Sequence, residues 1–244
     1  MTTPLTQIDA LKAQLDSYRP LDPNFALMLR ENYRVRLTYH STAIEGNTLT
    51  QSETQVLLEY GLTVQGKPLK HHLESEDHAF AFDYIEQLAA GNEPIHEWEI
   101  REIHALVCSR SEREIAGRYR TINVMAAGSG HRYPDALLVP ELMTDFDGWL
   151  NTPTDLHPVD FAAEAHYRFV TIHPFTDGNG RTARLLMNLL LIRAGYPMAI
   201  VRVEDRLQYI EAIMAWRGGD ARLFKEMVRE AATAALTEVL SLLK

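Results

Sequence analysis

The chain has 244 residues, 46% hydrophobic and 23% charged, which suits one well-packed domain with a short extension and excludes a largely disordered chain. A formal net charge of -9 excludes the broad basic surface that nucleic-acid phosphates require, and the sequence shows no basic-then-apolar leader and no 18-residue apolar stretch, so no nucleic acid and no membrane is expected as partner. The one cysteine, Cys108, permits neither an internal disulfide nor a Cys-rich zinc site, which fits a reducing compartment, and the expected location is cytoplasmic.

Apolar residues recur at helical spacing along most of the chain, with no internal repeat and no long linker. A first helix is expected over Leu5 to Tyr18, broken by Pro20 and Pro23, and a second from about Asn24 to Ile44, ended by Gly46. Thr50-Gln51-Ser52-Glu53 reads as a capping box for a third helix that stops at Gly61, so two helices flank Glu45-Gly46-Asn47. Helices follow over Leu69 to Ala90, His96 to Cys108, Pro140 to Leu150 and Pro158 to Ile172. Between Gly117 and Pro140, the β-type alternation of Arg118 to Val124 followed by Gly128-Ser129-Gly130 predicts a small hairpin. Thr182 to Ala194 is apolar almost all round, the pattern of a helix buried at the centre of a domain, and Gly195 and Pro197 close it. Two last helices, near Glu204 to Trp216 and Asp220 to Leu243, complete an all-α array.

The chemistry concentrates in His173-Pro174-Phe175-Thr176-Asp177-Gly178-Asn179-Gly180-Arg181-Thr182-Ala183-Arg184. Asp177 to Gly180, directly before the buried helix, offers free backbone N–H groups, two glycines for unusual dihedrals and the positive end of a helix dipole, which together make an anion cradle. Arg181 and Arg184, three apart, share a face although cations at a helix start oppose the dipole by about 0.3 to 1 kcal/mol each, a sign that a bound polyphosphate reverses. Asp177 is a hard oxygen ligand suited to Mg2+ shared with phosphates. His173, four residues upstream, is placed to act as general base toward a hydroxyl, and Phe175 points into the core. Singly, a Gly-Asn-Gly is a turn, a His-Pro a loop start and an Arg pair a solvated face; their conjunction beside a helix too apolar to need charges points to a phosphate site. A metal-hydrolase reading would recruit His96, His104, His131, His166 and His173, but no His-x-x-x-His spacing occurs, and these histidines read as surface or helix-packing residues, with His71-His72 an exposed helix start.

The run resembles the motif of the Fic family, His-x-Phe-x-(Asp/Glu)-Gly-Asn-Gly-Arg-x-x-Arg, at every fixed position. The resemblance extends from about Thr38 to Leu243 and is similar to the catalytic core of metazoan members, without the membrane anchor and tetratricopeptide repeats that those members carry. It implies an all-α Fic fold with a β-hairpin flap and a protein adenylyltransferase that moves AMP from ATP to a hydroxyl of a target protein and of itself. Alternatives are a nucleotide-binding regulatory module and a transferase of a different nucleoside monophosphate. Carried over by resemblance, His173 is the base, Asp177 the Mg2+ ligand, Asn179 with the backbone of Gly178 and Gly180 the contact to the α- and β-phosphates, and Arg184 the γ-phosphate contact, with Arg181 fixing phosphates and loop. Gly180 favours AMP transfer over phosphorylation, because relatives that transfer the γ-phosphate carry Lys there. The flap, roughly Thr121 to Tyr133, would hold the target by main-chain pairing, and its stretch Ala126, Ala127, Gly128 and Ser129 would line the nucleotide. Tyr209 matches a position near the adenosine, whereas Ile210 and Arg217 depart from the Tyr and Asn of close relatives.

Ser41-Thr42-Ala43-Ile44-Glu45-Gly46-Asn47 resembles the inhibitory motif (Ser/Thr)-x-x-x-Glu-(Gly/Asn) of the class with an N-terminal inhibitory helix. The implied organisation is an N-terminal helical extension over 1–60, with the inhibitory helix at about 24–46, and a catalytic domain over 61–244. Glu45 is implied to inhibit by pairing with Arg184 and, in a second role, to support removal of AMP. Leu69 and its surroundings resemble a stretch that forms dimers in relatives, which makes a homodimer the implied assembly.

Overall fold

Capping residues and apolar spacing set the helix boundaries. The computed structural model describes residues 3–125 and 130–243 and contains ten α-helices among them: α1 (Leu5–Asp16), α2 (Pro23–Ile44), α3 (Gln51–Tyr60), α4 (Leu69–Ala90), α5 (Glu97–Val107), α6 (Val139–Leu150), α7 (Pro158–Ile172), α8 (Asn179–Arg193), α9 (Arg206–Arg217) and α10 (Arg222–Leu242). The Asp22 carboxylate accepts from the N–H groups of Asn24 and Phe25 at 2.9 and 3.0 Å, and Pro23 takes the first helical position, where its missing N–H costs nothing. The expected capping box is present: Thr50 Oγ1 accepts from Glu53 N–H, and the Glu53 carboxylate accepts from Thr50 N–H at 2.7 Å. Gly61, at φ 67°, closes α3 in the left-handed region.

The array is organised around α8, which packs against α7, α4, α5 and α2, while α1 lies against α10. Leu185, Leu186, Met187 and Leu189 are all fully buried, as a helix apolar on every side requires. Asn188 is the polar exception, and its amide is matched on both sides: it donates to the carbonyls of Arg184 and Ala199 and accepts from Ala199 N–H at 2.8 Å. Two expectations shift in detail. Helix α8 begins at Asn179 rather than Thr182, because Gly178 at φ 75° turns the chain directly into it. The hairpin is present among the described residues as one antiparallel bridge between Met125 and Arg132, with Tyr133 N–H donating to the Val124 carbonyl at 3.3 Å.

Helix α2 is fastened along its length. Arg34 pairs with Asp83 of α4 at 3.1 Å, Arg36 with Glu238 of α10 at 2.6 Å, His40 Nδ1 accepts from Val203 N–H, and Arg206 Nε donates to the Ile44 carbonyl at the last turn. Core residues from both N-terminal helices, Ile8, Leu15 and Leu37, belong to the same apolar cluster as α8.

His72, expected at an exposed helix start, is interior, as are three histidines packed between helices. His72 is buried and accepts from Val64 N–H at 2.9 Å, and His78, His104 and His166 are fully buried. Burial pushes His78 down to about 3, His104 and His173 each to about 4, and His166 well below its ordinary value. Each is therefore neutral in the folded chain at a pH where the unfolded chain binds a proton. The stability they confer is complete above about pH 6.5 and is lost as pH falls toward their folded values. Denaturant midpoints measured from pH 7 to pH 4.5 should drop with a slope that approaches four protons per molecule near pH 5; a slope of one proton or less would place these rings in water.

Candidate active site

Helix α7 ends at His173, whose N–H still donates to the Phe169 carbonyl at 3.0 Å while its own backbone takes φ 52°. It is the only non-glycine in the left-handed region among the described residues, a conformation that costs of order 1 kcal/mol or more and persists only where surroundings enforce it. The enforcement is visible in the loop that follows. Asn179 turns its amide back onto Phe175, accepting from its N–H at 2.9 Å and donating to its carbonyl at 2.8 Å. Phe175 is wholly buried and stacks on His104 with ring centroids 3.6 Å apart. The Asn179 side chain is thus spent on shaping the loop, and its backbone N–H, with that of Gly180, belongs to the open first turn of α8.

Asp177 stands half-exposed at the mouth of this turn. Its carboxylate accepts from Gly178 N–H at 2.6 Å and faces Arg181 at 3.5 Å. Burial alone would raise its pKa, but Arg181, the Gly178 N–H and Lys70 hold it below the usual carboxylate range, so it is ionised. Arg181 is 2% exposed, and its Nε and Nη1 have no hydrogen-bond partner. Two unmatched donors on a buried cation are costly unless an anion completes them.

Arg184 is buried and fully engaged. Its Nε donates to Ser41 Oγ at 3.0 Å, Nη2 to the Ser41 carbonyl at 2.8 Å and to Glu45 Oε1 at 2.7 Å, and Nη1 to the Tyr209 hydroxyl at 3.2 Å. Burial would lower its pKa; Tyr209 and Glu45 hold it above the ordinary arginine value. The Tyr209 hydroxyl continues the chain to His166 Nε2 at 2.9 Å. Ser41 and Glu45, one turn apart on α2, are therefore both on Arg184. Gly180 supplies the room: a Cβ there would overlap Glu45 Oε1 and lie 3.0 Å from Arg184 Nη1.

Glu45, His173, Gly180 and Tyr209 share one cleft of about 310 Å³, with Ile210, Ile213 and Arg217 on its far wall. Tyr133 stacks on His173 at 3.8 Å, and the Arg217 guanidinium lies 5.1 Å from the Tyr133 ring centre. Burial lowers the His173 pKa to about 4, with Arg120 and Arg217 acting in the same direction and Glu45 against it, so the ring is a neutral base at ordinary pH. Of the expected site residues, Glu45, His173, Gly180 and Tyr209 line this cleft, Arg184 bonds to Glu45 and Tyr209, and Asp177, Gly178, Asn179 and Arg181 form the start of α8 next to Gly180, while Ala126, Ala127, Gly128 and Ser129 lie outside the described residues.

Residues 94–191 match the family model described as Fic/DOC. The chain is 33% identical to Fic-1 of Caenorhabditis elegans, with a TM-score of 0.87 over 97% of this chain and 70% of that one. A Fic domain containing signaling protein of Bacteroides thetaiotaomicron is 32% identical, with a TM-score of 0.83, and 94% of that chain is covered. The chain belongs to the Fic family. It is also 44% identical over 193 residues to a protein adenylyltransferase Fic of Nematostella vectensis, covering 78% of this chain and 45% of that relative. It thus spans about half the length of the curated relatives it matches.

Two residues that support the Fic loop carry no sequence signal strong enough to single them out as such. His104 Nδ1 accepts from Gly117 N–H at 3.0 Å, which leaves the proton on Nε2 to donate to the Asp177 carbonyl at 2.9 Å. Arg120 donates from Nε to the His173 carbonyl at 2.8 Å and from its other nitrogens to the carbonyls of Ile122 and Pro134, and its N–H donates to the Pro174 carbonyl. Both are long-range side-chain-to-backbone bonds, which leave no periodicity in the sequence.

The Gly180–Glu45 contact has a sign that can be measured. Gly180→Ala should destabilise the wild type by about 1 to 3 kcal/mol through overpacking, yet be neutral or stabilising by up to about 1 kcal/mol in Glu45→Gly, where alanine is simply the better helix residue. Equal effects in both backgrounds would show that the carboxylate does not occupy that space in solution.

Proposed function

We propose that this chain is a protein adenylyltransferase that moves AMP from ATP to a hydroxyl side chain of a target protein and of itself, and that Glu45 restrains it. The observation that carries this reading is the buried Arg184 held by Glu45 at 2.7 Å beside a phosphate-sized cradle with two unmatched donors on Arg181. The printed names of its relatives, protein adenylyltransferase Fic and fic-1, support the same chemistry. The residues present fit ATP with Mg2+: a carboxylate held ionised at the mouth, open N–H groups at a helix start, and guanidinium donors behind them. Mg2+ bound at Asp177 would neutralise charge on the phosphates as pyrophosphate leaves.

The chain's own part is positioning and proton transfer. His173 takes the proton of the target hydroxyl as its oxygen bonds to the α-phosphorus, and the bond to pyrophosphate breaks. Arg181 and the N–H groups of Gly178, Asn179 and Gly180 orient the phosphates, and Arg184, once released, receives the γ-phosphate in bidentate fashion. Tyr209 braces Arg184 from the cleft side, with Ile210 and Arg217 beside the place for the base. Residues 121–133 hold the target segment next to His173, and the extension over 1–60 acts as a regulatory unit packed into the core of 61–244. Leu69, exposed at the start of α4, suits a homodimer contact. Glu45 and His173 line the same cleft, which favours a second role in which Glu45 orients water toward the α-phosphorus of a modified target and His173 returns the proton.

Glu45→Gly should raise transfer of label from α-labelled ATP by about ten- to a hundredfold, the equivalent of a charged hydrogen bond of about 1.5 to 3 kcal/mol, and His173→Ala in that background should abolish it while ATP still binds. Label transferred from γ-labelled ATP instead would reassign the reaction to phosphorylation. The pH dependence follows from the depressed His173 value: the base stays neutral well below pH 6.5, so kcat/KM of Glu45→Gly should stay level from pH 8 to about pH 6 and decline only toward pH 4. An acid limb centred near pH 6.5 would show a solvated His173.

A further inference from the structure

A second groove opens beside the cleft, of about 470 Å³, between α6 and α7. The two helices run antiparallel, as Trp149 stacks on Phe161 at 5.0 Å while Phe146 faces Phe169 at 6.1 Å. Leu142, near the start of α6, consequently lies toward the end of α7, where Ile172 completes the groove directly before His173. Its floor is apolar and aromatic, made by Leu142, Phe146, Tyr167, Ile172 and Trp216, with Tyr167 and Trp216 stacked face to face at 4.1 Å. Trp216 and Arg217 are neighbours on α9, one lining the groove and the other the cleft, so the last turns of α7 and α9 form the wall that both share.

Charge along the groove is unevenly placed. Arg168 and Lys225 share the single Glu164 carboxylate, at 2.7 and 3.4 Å. Asp145 lines the same groove, is exposed, and has no ion pair or hydrogen bond among the described residues. The apolar strip also continues outward: Leu138, one turn before Leu142, is 48% exposed and Leu137 is 88% exposed. The start of this segment is tied to the flap by Asn123 Oδ1, which accepts from Ala136 N–H at 2.8 Å.

From this placement we propose that the groove between α6 and α7 is the second half of the target-binding surface, and that it receives an apolar or aromatic side chain flanked by Lys or Arg, a few residues from the hydroxyl that is modified. The inference rests on the transferase reading above. Continuity with His173 fixes the partner as the same polypeptide that presents the hydroxyl. Glu164 to Ile172 is about 12 Å of helix, the span of three to four extended residues. The floor supplies the apolar anchor pocket that dominates peptide recognition, and Asp145, exposed and without an ion pair of its own, supplies a local preference for a cation.

The test uses the full chain with Glu45→Gly, α-labelled ATP and Mg2+, and an array of peptides that each hold one central Ser, Thr or Tyr with varied flanks. Peptides with Leu, Phe or Trp three or four residues from the hydroxyl and a neighbouring Lys or Arg should be labelled about tenfold more than the rest. Asp145→Lys, at an exposed position without partners, should reduce labelling of basic peptides by about five- to tenfold and favour acidic ones. Leu142→Gln should flatten the apolar preference, with ATP binding unchanged in both variants. Labelling without flank preference, or a preference that survives both substitutions, overturns the groove while leaving the transferase reading intact. Absence of peptide labelling and of self-labelling, despite bound ATP, overturns both.

Discussion

The guanidinium of Arg184 is the point on which the rest of this structure depends. A buried cation demands partners, and four are provided: a hydroxyl and a carbonyl from Ser41, a carboxylate from Glu45 and the Tyr209 phenol. Three of the four come from α2, so the same contacts that satisfy the cation also bind the N-terminal helix to the central one. The long fastening of α2, through Arg34, Arg36, His40 and the Arg206 cap, makes sense in that light. A carboxylate at the end of a loosely held helix would not stay on Arg184; one at the end of a helix fixed on both sides is held there, as the proposed restraint requires.

The interior is otherwise arranged so that charge is concentrated where α8 begins. Histidines 78, 104, 166 and 173 are kept neutral by burial, and each finds a different use: His104 joins the base of the flap to the Asp177 loop, His166 ends the Tyr209 chain, His78 faces Thr38, and His173 caps α7. The loop itself is shaped by neutral contacts, the Asn179 amide on Phe175 and the Phe175–His104 stack. Its form therefore does not wait on a ligand, which is the preorganisation that phosphate chemistry requires.

The sequence made the helices legible because their signals are local: the Thr50–Glu53 box, Gly61, Pro158 and the all-round apolarity of α8 each act within a few residues. The motif from His173 to Arg184 was legible for the same reason, since eight specified positions fall within twelve residues. Asn179 shows the limit. Its place in the motif implies a phosphate contact without saying through which atoms, and the structure commits the side chain to the Phe175 backbone, which leaves the backbone N–H for that contact. The burial of histidines 72 and 104 was not legible, because a neutral imidazole that satisfies two backbone groups looks the same in sequence as one in water. Helix α8 starts three residues before its apolar stretch, because Gly178 at positive φ allows a helix to open on Asn-Gly, residues that alone argue for a turn.

The guanidinium groups around the cleft have one more consequence. Arg120, Arg181, Arg184 and Arg217 stand about it, against the carboxylates of Glu45 and Asp177, with Asp135 acting on Arg120 and both Glu112 and Lys70 on Asp177, so positive charge is in local excess in a chain whose formal charge is -9. The hydrogen bonds of Arg120 go to carbonyl groups and to no carboxylate. An approaching tetra-anion thus meets repulsion from the molecule as a whole and attraction only within the last Debye length, about 8 Å at physiological ionic strength. Salt screens the first field before it screens the second, because the distant charges are exposed and the arginines are buried. For the nucleotide proposed as substrate, capture would therefore be favoured by moderate ionic strength, the opposite of the dependence expected where a wholly basic face steers an anion.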